Sequence, residues 1–243
     1  MTPKLSLTYK FYRNPEMLAF QYEQWAAYPE DLKEQIEIVL VDDGSPEPAV
    51  DVPRPEGLPQ LRLYRVLVDK PWNQNGCTNL GAFVASGKWL LITDIDHVVS
   101  RRLLAHCLRE NFTNKVYMFD RIDGADMQPV LDRRGNPKPH PNSYLITKKF
   151  YWEVGGHDEW YCGNYGTDRL LRQRIRERSP IRTITVPLIR YGCDVIPDAC
   201  TTTLPRKENR DPKWLEKALA NKRRVMDVDK ILTLQFPWEL VKC

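Results

Sequence analysis

Apolar positions in the first half of the chain form short runs separated by segments with helical spacing. The run at 36–41 is almost continuously apolar, which is typical of a strand covered on both faces. Asn14-Pro15-Glu16 offers a cap, a first-turn proline and an early acid, and so predicts a helix that continues to about residue 35. The same reasoning predicts strands at 5–9, at 61–67 and in the apolar run ending at Asp94, and a helix at 77–85.

The second half alternates in the same way, although less regularly. Its predicted strands are 115–120, 143–147 and 183–189, and its predicted helices are 148–154, 168–178 and a last helix that opens at Asp211-Pro212. Alternating strands and helices favour an α/β fold in which helices flank a mostly parallel central sheet. We therefore expect a single domain with a C-terminal helical extension.

Carboxylates follow two of the predicted strands directly. Asp42 and Asp43 end the second strand, and Asp94 and Asp96 end the fourth. In extended backbone, positions i and i+2 point the same way, so Asp94 and Asp96 can approach one point, as suits a hard cation such as Mg²⁺ or Mn²⁺. In parallel sheets, ligands bind beyond the carboxyl ends of the strands, so both acidic motifs are expected in one crevice. The alternative is a pair of acidic turns without a ligand.

Composition limits the class of protein. With 243 residues and 42% hydrophobic content, the chain can bury one large core. Its apolar stretches are far shorter than the ~20 residues of a membrane helix, and no signal-peptide core is visible, so we expect a soluble, cytoplasmic protein without a membrane partner. The six cysteines lack Cys-x-x-Cys spacing, which argues against structural zinc and favours reduced thiols.

The net charge of +4 is distributed unevenly. Basic residues crowd two segments, 169–182 and 206–224. Such clusters can contact the phosphates of a nucleotide or a nucleic acid. More often they form a solvated helix face, and both interpretations stay open.

Four sequence blocks, in order, resemble the nucleotide-sugar glycosyltransferases of the GT-A fold, especially family 2 and the galactosyltransferase group. The blocks are Ile38 to Ser45 with its Asp-Asp-Gly-Ser end, Asn75 to Gly81, Asp94-Ile95-Asp96, and Gly155-Gly156-His157-Asp158-Glu159 continuing to Asp168. The resemblance covers roughly residues 5 to 190, and the joint order is more specific than any single block.

The sequence departs from the family pattern in three places. Phe11-Tyr12-Arg13-Asn14 stands where the galactosyltransferases have Pro-Phe-Arg-Asn. The downstream Glu-Asp of the family is Thr167-Asp168 here, so one carboxylate remains. Many relatives supply a later histidine to the metal, whereas no histidine follows His157, which leaves the third protein ligand open.

The resemblance implies a metal-dependent, inverting transfer of a sugar from a UDP-sugar to an acceptor hydroxyl. It implies that Mn²⁺ or Mg²⁺ is held by Asp94 and Asp96, with Asp96 as the more direct ligand, and that Asp168 is the general base. The residues implied for the nucleotide sugar are Tyr12, Arg13, Asp42, Asp43, Gly76, Asn79 and Asp94. Those implied for the acceptor or the sugar are Asp158, Glu159, Trp160 and Tyr161.

Each assignment has a structural alternative. Asp168 can simply cap the helix at 168–178, Asp-Asp-Gly-Ser is also good turn chemistry, and Arg13 can be a surface residue. The aromatic residues 160, 161 and 165 can pack on their own loop, and His97 and His140, which could reach or fold over the site, are histidines of a kind more often structural or solvated. By the resemblance, residues 1–100 bind the nucleotide sugar, 101–190 bind the acceptor, and 191–243 pack on the same domain.

The acceptor follows least directly from the sequence. The arginine-rich helix beside the expected base favours nucleic acid, such as a hydroxymethylated pyrimidine in phage-type DNA, which would have to be turned out of its stack. A saccharide or polysaccharide precursor is the alternative. Two other classes remain: a nucleotidyltransferase, although residues 7–14 lack the usual glycine-rich loop, and a non-catalytic nucleic-acid-binding module, whose binding would be metal-independent and steeply salt-sensitive.

Overall fold

The computed structural model describes residues 2–164, 166–200 and 213–242 of the chain. The strands in these ranges are β1 Leu5–Phe11, β2 Ile36–Asp42, β3 Gln60–Val66, β4 Trp89–Ile92, β5 His97–Val98, β6 Val116–Asp123, β7 Tyr144–Thr147, β8 Arg182–Arg190 and β9 Trp238–Leu240. The helices are α1 Pro15–Ala26, α2 Glu30–Lys33, α3 Gln74–Val84, α4 Arg101–Arg109, α5 Lys148–Glu153, α6 Asp168–Arg178, α7 Trp214–Ala220 and α8 Lys222–Met226.

All of these strands join one sheet in the order β5-β8-β6-β7-β4-β1-β2-β3-β9. Strands β4, β1, β2 and β3 are mutually parallel, so their carboxyl ends share one edge. β7 pairs antiparallel with β4 and with β6, and β9 adds an antiparallel strand beside β3. The prediction of an α/β domain with helices around a central sheet is confirmed, and its parallel pairing is concentrated in the first half.

The two faces of the sheet build two apolar layers. In β2, which is buried along its whole length, Ile38 and Leu40 pack with Trp25 of α1 on one face, while Val39 and Val41 pack with Leu80 of α3 on the other. This explains why the sequence of β2 is continuously apolar instead of alternating. Helices on both faces hold the central strands rigidly and leave the loops at their carboxyl ends for a site.

One predicted helix is interrupted at a proline. The helix expected to reach residue 35 ends at Ala26, and a separate short helix, α2, starts at Glu30. Pro29 lies between them in extended backbone, with ψ 147°. Its ring disfavours the helical conformation at the preceding residue, Tyr28, and Pro29 has no N–H to continue the hydrogen bonds of a helix.

Several other elements were not predicted from the sequence. These are β5, α4 and β9. The last predicted helix is divided at Asn221, whose side chain accepts a hydrogen bond from the Arg224 N–H and caps α8. Its predicted start at Asp211-Pro212 lies outside the described residues. In the described part of the chain, no helix combines the length and apolar character needed to cross a membrane.

Candidate functional site

A cavity of about 680 Å³ opens at the edge where β1, β2 and β4 end. Asp43 follows β2, Asp94 and Asp96 follow β4, and Asp168 is the first residue of α6; all of them line this cavity. Parallel strands bring the first three together, because their loops leave the sheet at the same edge. The structure thus places four predicted site carboxylates, from three separate loops, around one space.

Asp94 is surrounded by donors from other elements. Lys10, near the end of β1, places its Nζ 2.7 Å from Asp94 Oδ1, and Gln74 Nε2 donates to the same oxygen at 3.1 Å. Asn142 Nδ2 donates to Oδ2 at 3.4 Å. Burial is the largest single effect and would raise the pKa of Asp94, but the Lys10 ammonium, its hydrogen bond and the neighbouring imidazoles together outweigh it and hold that pKa below its ordinary value. Asp94 is therefore ionised and already paired.

Asp96 presents a different environment. Its Oδ1 lies 2.7 Å from Nδ1 of the buried His97, and its other carboxylate oxygen has no partner among the described residues. The side chain is 15% exposed and lines the cavity. Of the Asp-x-Asp pair, Asp96 is thus the carboxylate with an oxygen available to a ligand.

Two histidines contact Asp94 and Asp96. The His97 and His140 rings stack with centroids 4.3 Å apart, and His140 Nε2 lies 3.5 Å from Asp94 Oδ2. Burial and the neighbouring His97 lower the pKa of His140 to about 3, so its ring is neutral near pH 7. His140 lines the cavity, and a neutral imidazole is a competent metal ligand. His140, one of the two histidines considered from the sequence, thus lies where a third protein ligand could come from.

The donor set of this cavity fits a divalent cation that also binds phosphate. No group of three or more His, Cys, Asp or Glu side chains in the described residues forms a closed metal cage. Mg²⁺ and Mn²⁺ do not need one, since they are commonly held by one or two carboxylates and complete their shell with water and substrate phosphates. The free oxygen of Asp96 meets that requirement, and Asp94 stands beside it.

The neighbours Asp42 and Asp43 point to opposite sides of their strand. Asp42 accepts hydrogen bonds from the Ser45 and Ala49 N–H groups and from Arg65 Nη1, and it does not line the cavity. Asp43 lines the cavity and accepts from Asn73 Nδ2 at 3.0 Å. Burial raises the pKa of Asp43 to about 7, against the opposing hydrogen bonds of Cys77 and Asn73.

Tyr12 and Arg13 line the same cavity just after β1. Tyr12 Oη donates to Asp69 Oδ2 at 3.1 Å, and the Arg13 guanidinium lies 5.5 Å from the centroid of the Tyr12 ring. Arg13 and Trp72, which also lines the cavity, have positive φ angles of 54° and 49°. Such backbone conformations are costly for side-chain-bearing residues and cluster at functional sites.

Gly76 and Asn79 lie in α3 behind the cavity instead of lining it. A Cβ at Gly76 would lie 2.5 Å from the Phe236 ring, so only glycine lets the C-terminal segment approach α3. Buried Asn79 donates to the His157 carbonyl at 2.7 Å and to Glu159 Oε1 at 2.8 Å. Both residues hold the Gly155–Glu159 loop and the C-terminal segment against α3.

The expected acceptor residues hold the C-terminal extension. Glu159 accepts from the Leu234 and Gln235 N–H groups, and Asp158 accepts from the Leu232 N–H and from Arg224. Trp160 is 66% exposed, with the Arg224 guanidinium 5.3 Å from its ring centroid, and Tyr161 packs near Leu170. The structure does not bring these four residues, 158–161, to the cavity, and their acceptor role stays a prediction.

Asp168 lines the cavity from helix α6 and not from the ends of the strands. Asp168 is the first residue of α6 and follows the N-cap Thr167, whose side chain makes no capping hydrogen bond, and Asp168 Oδ2 pairs with Arg172 Nη2 at 2.7 Å. Burial raises the pKa of Asp168, against the lowering effect of Arg172. Arg169 and Arg172 line the cavity beside it, so the described site is acidic at the sheet and basic at α6.

No protein-family model and no curated protein sequence matches the chain. Among solved structures, TarS of S. aureus superimposes with a TM-score of 0.58 at 14% identity, over 81% of this chain and 63% of that one. TarS in complex with UDP-GlcNAc gives 0.59 at 14% identity, over 78% and 58%. The mannosyltransferase PcManGT of Pyrobaculum calidifontis, in complex with GDP-Man and Mn²⁺, gives 0.58 at 15% identity, over 79% and 57%.

The chain shares with these structures the GT-A fold, a single α/β domain with a mixed central sheet flanked by helices. It covers only 57–63% of the length of these three structures. In a GT-A fold the cavity at the carboxyl ends of the parallel strands is the expected ligand position.

Several residues that line this cavity were not singled out from the sequence. They are Lys10, Asp69, Trp72, Gln74 and Asn142. Lys10 could have been found from the sequence, because it is the one charged residue of the otherwise buried strand β1. It lies two residues after Thr8, on the same side of the strand. The others lie on loops or, for Gln74, at the start of α3, where the sequence pattern does not reveal which residues face a common space.

Proposed function

We propose that the protein is a metal-dependent glycosyltransferase that moves a sugar from a nucleotide sugar, of the UDP type, to an acceptor hydroxyl. The observation that carries the proposal is the convergence of Asp43, Asp96 and Asp168 on one cavity at the carboxyl edge of the parallel strands. A donor-binding role for residues 1–100 and an acceptor-binding role for 101–190 belong to the same proposal. Both halves contribute to the cavity wall.

The donor would lie along the β1, β2 and β4 loops. In this proposal Asp43, which lines the cavity, accepts a hydrogen bond from a base N–H or a ribose hydroxyl, and Tyr12 and Arg13 offer an aromatic surface and a cation in the same cavity. Asp96 would hold Mn²⁺ or Mg²⁺, with Asp94 beside it. When bound, that ion supplies Lewis-acid stabilisation of the diphosphate as the bond to the sugar breaks.

Asp168 is proposed as the general base. The acceptor oxygen forms a bond to the anomeric carbon, the bond from that carbon to the diphosphate oxygen breaks, and the acceptor proton passes to the Asp168 carboxylate. Attack opposite the leaving group inverts the anomeric centre. The burial that raises the pKa of Asp168 makes it a better proton acceptor, and Arg172 fixes the orientation of the carboxylate.

For the acceptor we favour a nucleic acid, namely a hydroxymethylated pyrimidine in phage-type DNA. Arg169 and Arg172 line the cavity next to Asp168, and Arg176 continues the row on the exposed side of α6. Phosphates beside the target base would meet these guanidinium groups. A saccharide acceptor is the second candidate, and a non-catalytic nucleic-acid-binding module is the third.

The test combines Mn²⁺, a panel of UDP-sugars and DNA with or without hydroxymethylated pyrimidines, and measures UDP release and DNA mass. We expect release and a hexose- or pentose-sized mass gain, both abolished in Asp96→Ala. Asp168→Asn is expected to keep UDP binding and to lower kcat by about 10²–10⁴-fold. Asp31→Asn, on α2 and exposed, is the matched control and is expected to match wild type.

Three results would decide between the candidates. Transfer to a saccharide without a mass gain on DNA would replace the acceptor. UDP release unaffected by both Asp96→Ala and Asp168→Asn would refute the site assignment. Metal-independent DNA binding without any UDP release would favour the binding module.

A further inference from the structure

Lys10 is a cation built into the wall of the cavity. Its side chain is only 11% exposed, and its Nζ lies 2.7 Å from Asp94 Oδ1 and 3.4 Å from the Thr93 carbonyl oxygen. An ammonium group has three N–H donors, and these two acceptors leave one donor for a ligand in the cavity that Lys10 lines. Burying an ammonium is costly unless it is paired, so the contact with Asp94 fixes its position.

The two carboxylates of the Asp-x-Asp pair consequently differ. Asp94 Oδ1 is occupied by Lys10 and Gln74, and its Oδ2 receives Asn142. Asp96 is contacted at one oxygen only, by His97. A divalent ion approaching Asp94 would have to displace Lys10 or be repelled by it, whereas an ion approaching the second oxygen of Asp96 would not.

We propose that Lys10 is a resident cation of the donor site, which neutralises Asp94, leaves Asp96 as the metal-binding carboxylate, and donates a hydrogen bond to the diphosphate of the nucleotide sugar. This inference rests on the proposed function. In this arrangement two positive charges face the diphosphate: the fixed ammonium group of Lys10 and an exchangeable divalent ion at Asp96. Part of the nucleotide affinity is therefore independent of the metal, because a charge-assisted hydrogen bond to phosphate persists without it.

Isothermal titration of UDP in EDTA and in Mn²⁺ tests the proposal without any turnover. Wild-type protein is expected to bind UDP in EDTA, and more tightly in Mn²⁺. Lys10→Met is expected to lose about tenfold or more of the EDTA affinity while retaining binding in Mn²⁺. Lys4→Met is the matched control: Lys4 immediately precedes the other end of β1 and donates to Gln35 at the surface.

A second readout follows the metal itself. In Mn²⁺ titrations followed by electron paramagnetic resonance, without nucleotide, Lys10→Met is expected to bind Mn²⁺ more tightly than wild type, because Asp94 is released. A variant that merely lost structure would lose Mn²⁺ affinity instead. Lys10→Gln, which can still donate to Asp94, accompanies Lys10→Met, and circular dichroism melts check that both fold.

The outcomes separate this inference from the function on which it rests. If wild type binds UDP in Mn²⁺ but not in EDTA, or if Lys10→Met and Lys10→Gln both stay within twofold of wild type in EDTA, Lys10 is not a resident cation and the proposed function stands. Unchanged or weaker Mn²⁺ binding by a Lys10→Met variant whose melt matches wild type likewise overturns the role given to Lys10. If wild type binds no UDP even in Mn²⁺, the proposed function itself fails.

Discussion

Asp43 is the residue at which folding and ligand binding compete most clearly. Burial raises its pKa from the ordinary value of 3.8 to about 7, so the folded protein holds a proton that the unfolded chain releases at lower pH. The stability linked to this group is complete below the ordinary pKa and is lost as the pH rises through about 7. A ligand that donates a hydrogen bond to the Asp43 carboxylate recovers part of that loss.

Asp43→Asn should therefore stabilise the protein, and more so at alkaline pH. Asparagine carries no charge and its Oδ1 can still accept from Asn73. We expect its advantage over wild type in urea unfolding to be larger at pH 8 than at pH 5 by about 2–3 kcal/mol, while UDP affinity falls. A constant advantage at both pH values would show that Asp43 titrates normally.

The sequence predicted residue positions better than residue partners. The spacing of Asp94 and Asp96 at the end of an apolar run was enough to expect both at one edge of the sheet. It gave no hint that Lys10, more than 80 residues earlier, neutralises one of them, because ion pairs between strands depend on strand order. Asp42 and Asp43 differ for a simpler reason: alternation sends adjacent side chains to opposite sides.

At the scale of elements, the arginines of α6 serve different roles that the sequence of the helix does not distinguish. Its arginines form a run, which predicts either a phosphate-binding or a solvated face. Arg174 belongs to neither, since it is fully buried and donates to the Val154, Gly156 and Val225 carbonyl oxygens. It thereby joins α6 to the glycine loop after α5 and to α8.

Arg174→Met should destabilise the protein by about 2–4 kcal/mol, because buried carbonyl oxygens lose their donors. Arg178→Met, on the exposed face at the end of the same helix, should stay within about 0.5 kcal/mol of wild type. Chemical unfolding followed by tryptophan fluorescence measures both. Equal, small losses for the two variants would mean that Arg174 does not hold these elements together.

Elements with strong local signals were predicted and those created by tertiary packing were not. Helix α6 begins and ends as predicted, and β2 and β7 are close to their predicted bounds. Strands β5 and β9 are two and three residues long and exist through pairing with β8 and β3, which no local pattern specifies. The break before α2 was readable from Pro29, whose effect on the preceding residue was not applied.

At the scale of the whole molecule, the order of four short blocks carried more information than any periodicity. It predicted the α/β class and the GT-A fold although identity to the solved structures is only 14–15%. Asn142, which also lines the cavity, was not predicted, because it lies on a loop of the irregular second half. Asn142 lies just before β7, which runs antiparallel beside β4.

The central claim is that Asp43, Asp96 and Asp168 surround a single site for a divalent ion and a nucleotide sugar. Crystals grown with Mn²⁺ and UDP, with anomalous diffraction data collected at the manganese edge, test it most directly. The account predicts one anomalous peak within bonding distance of an Asp96 carboxylate oxygen and of the diphosphate, with the nucleoside beside Asp43. A manganese peak remote from Asp96, or UDP bound outside this cavity, would contradict it.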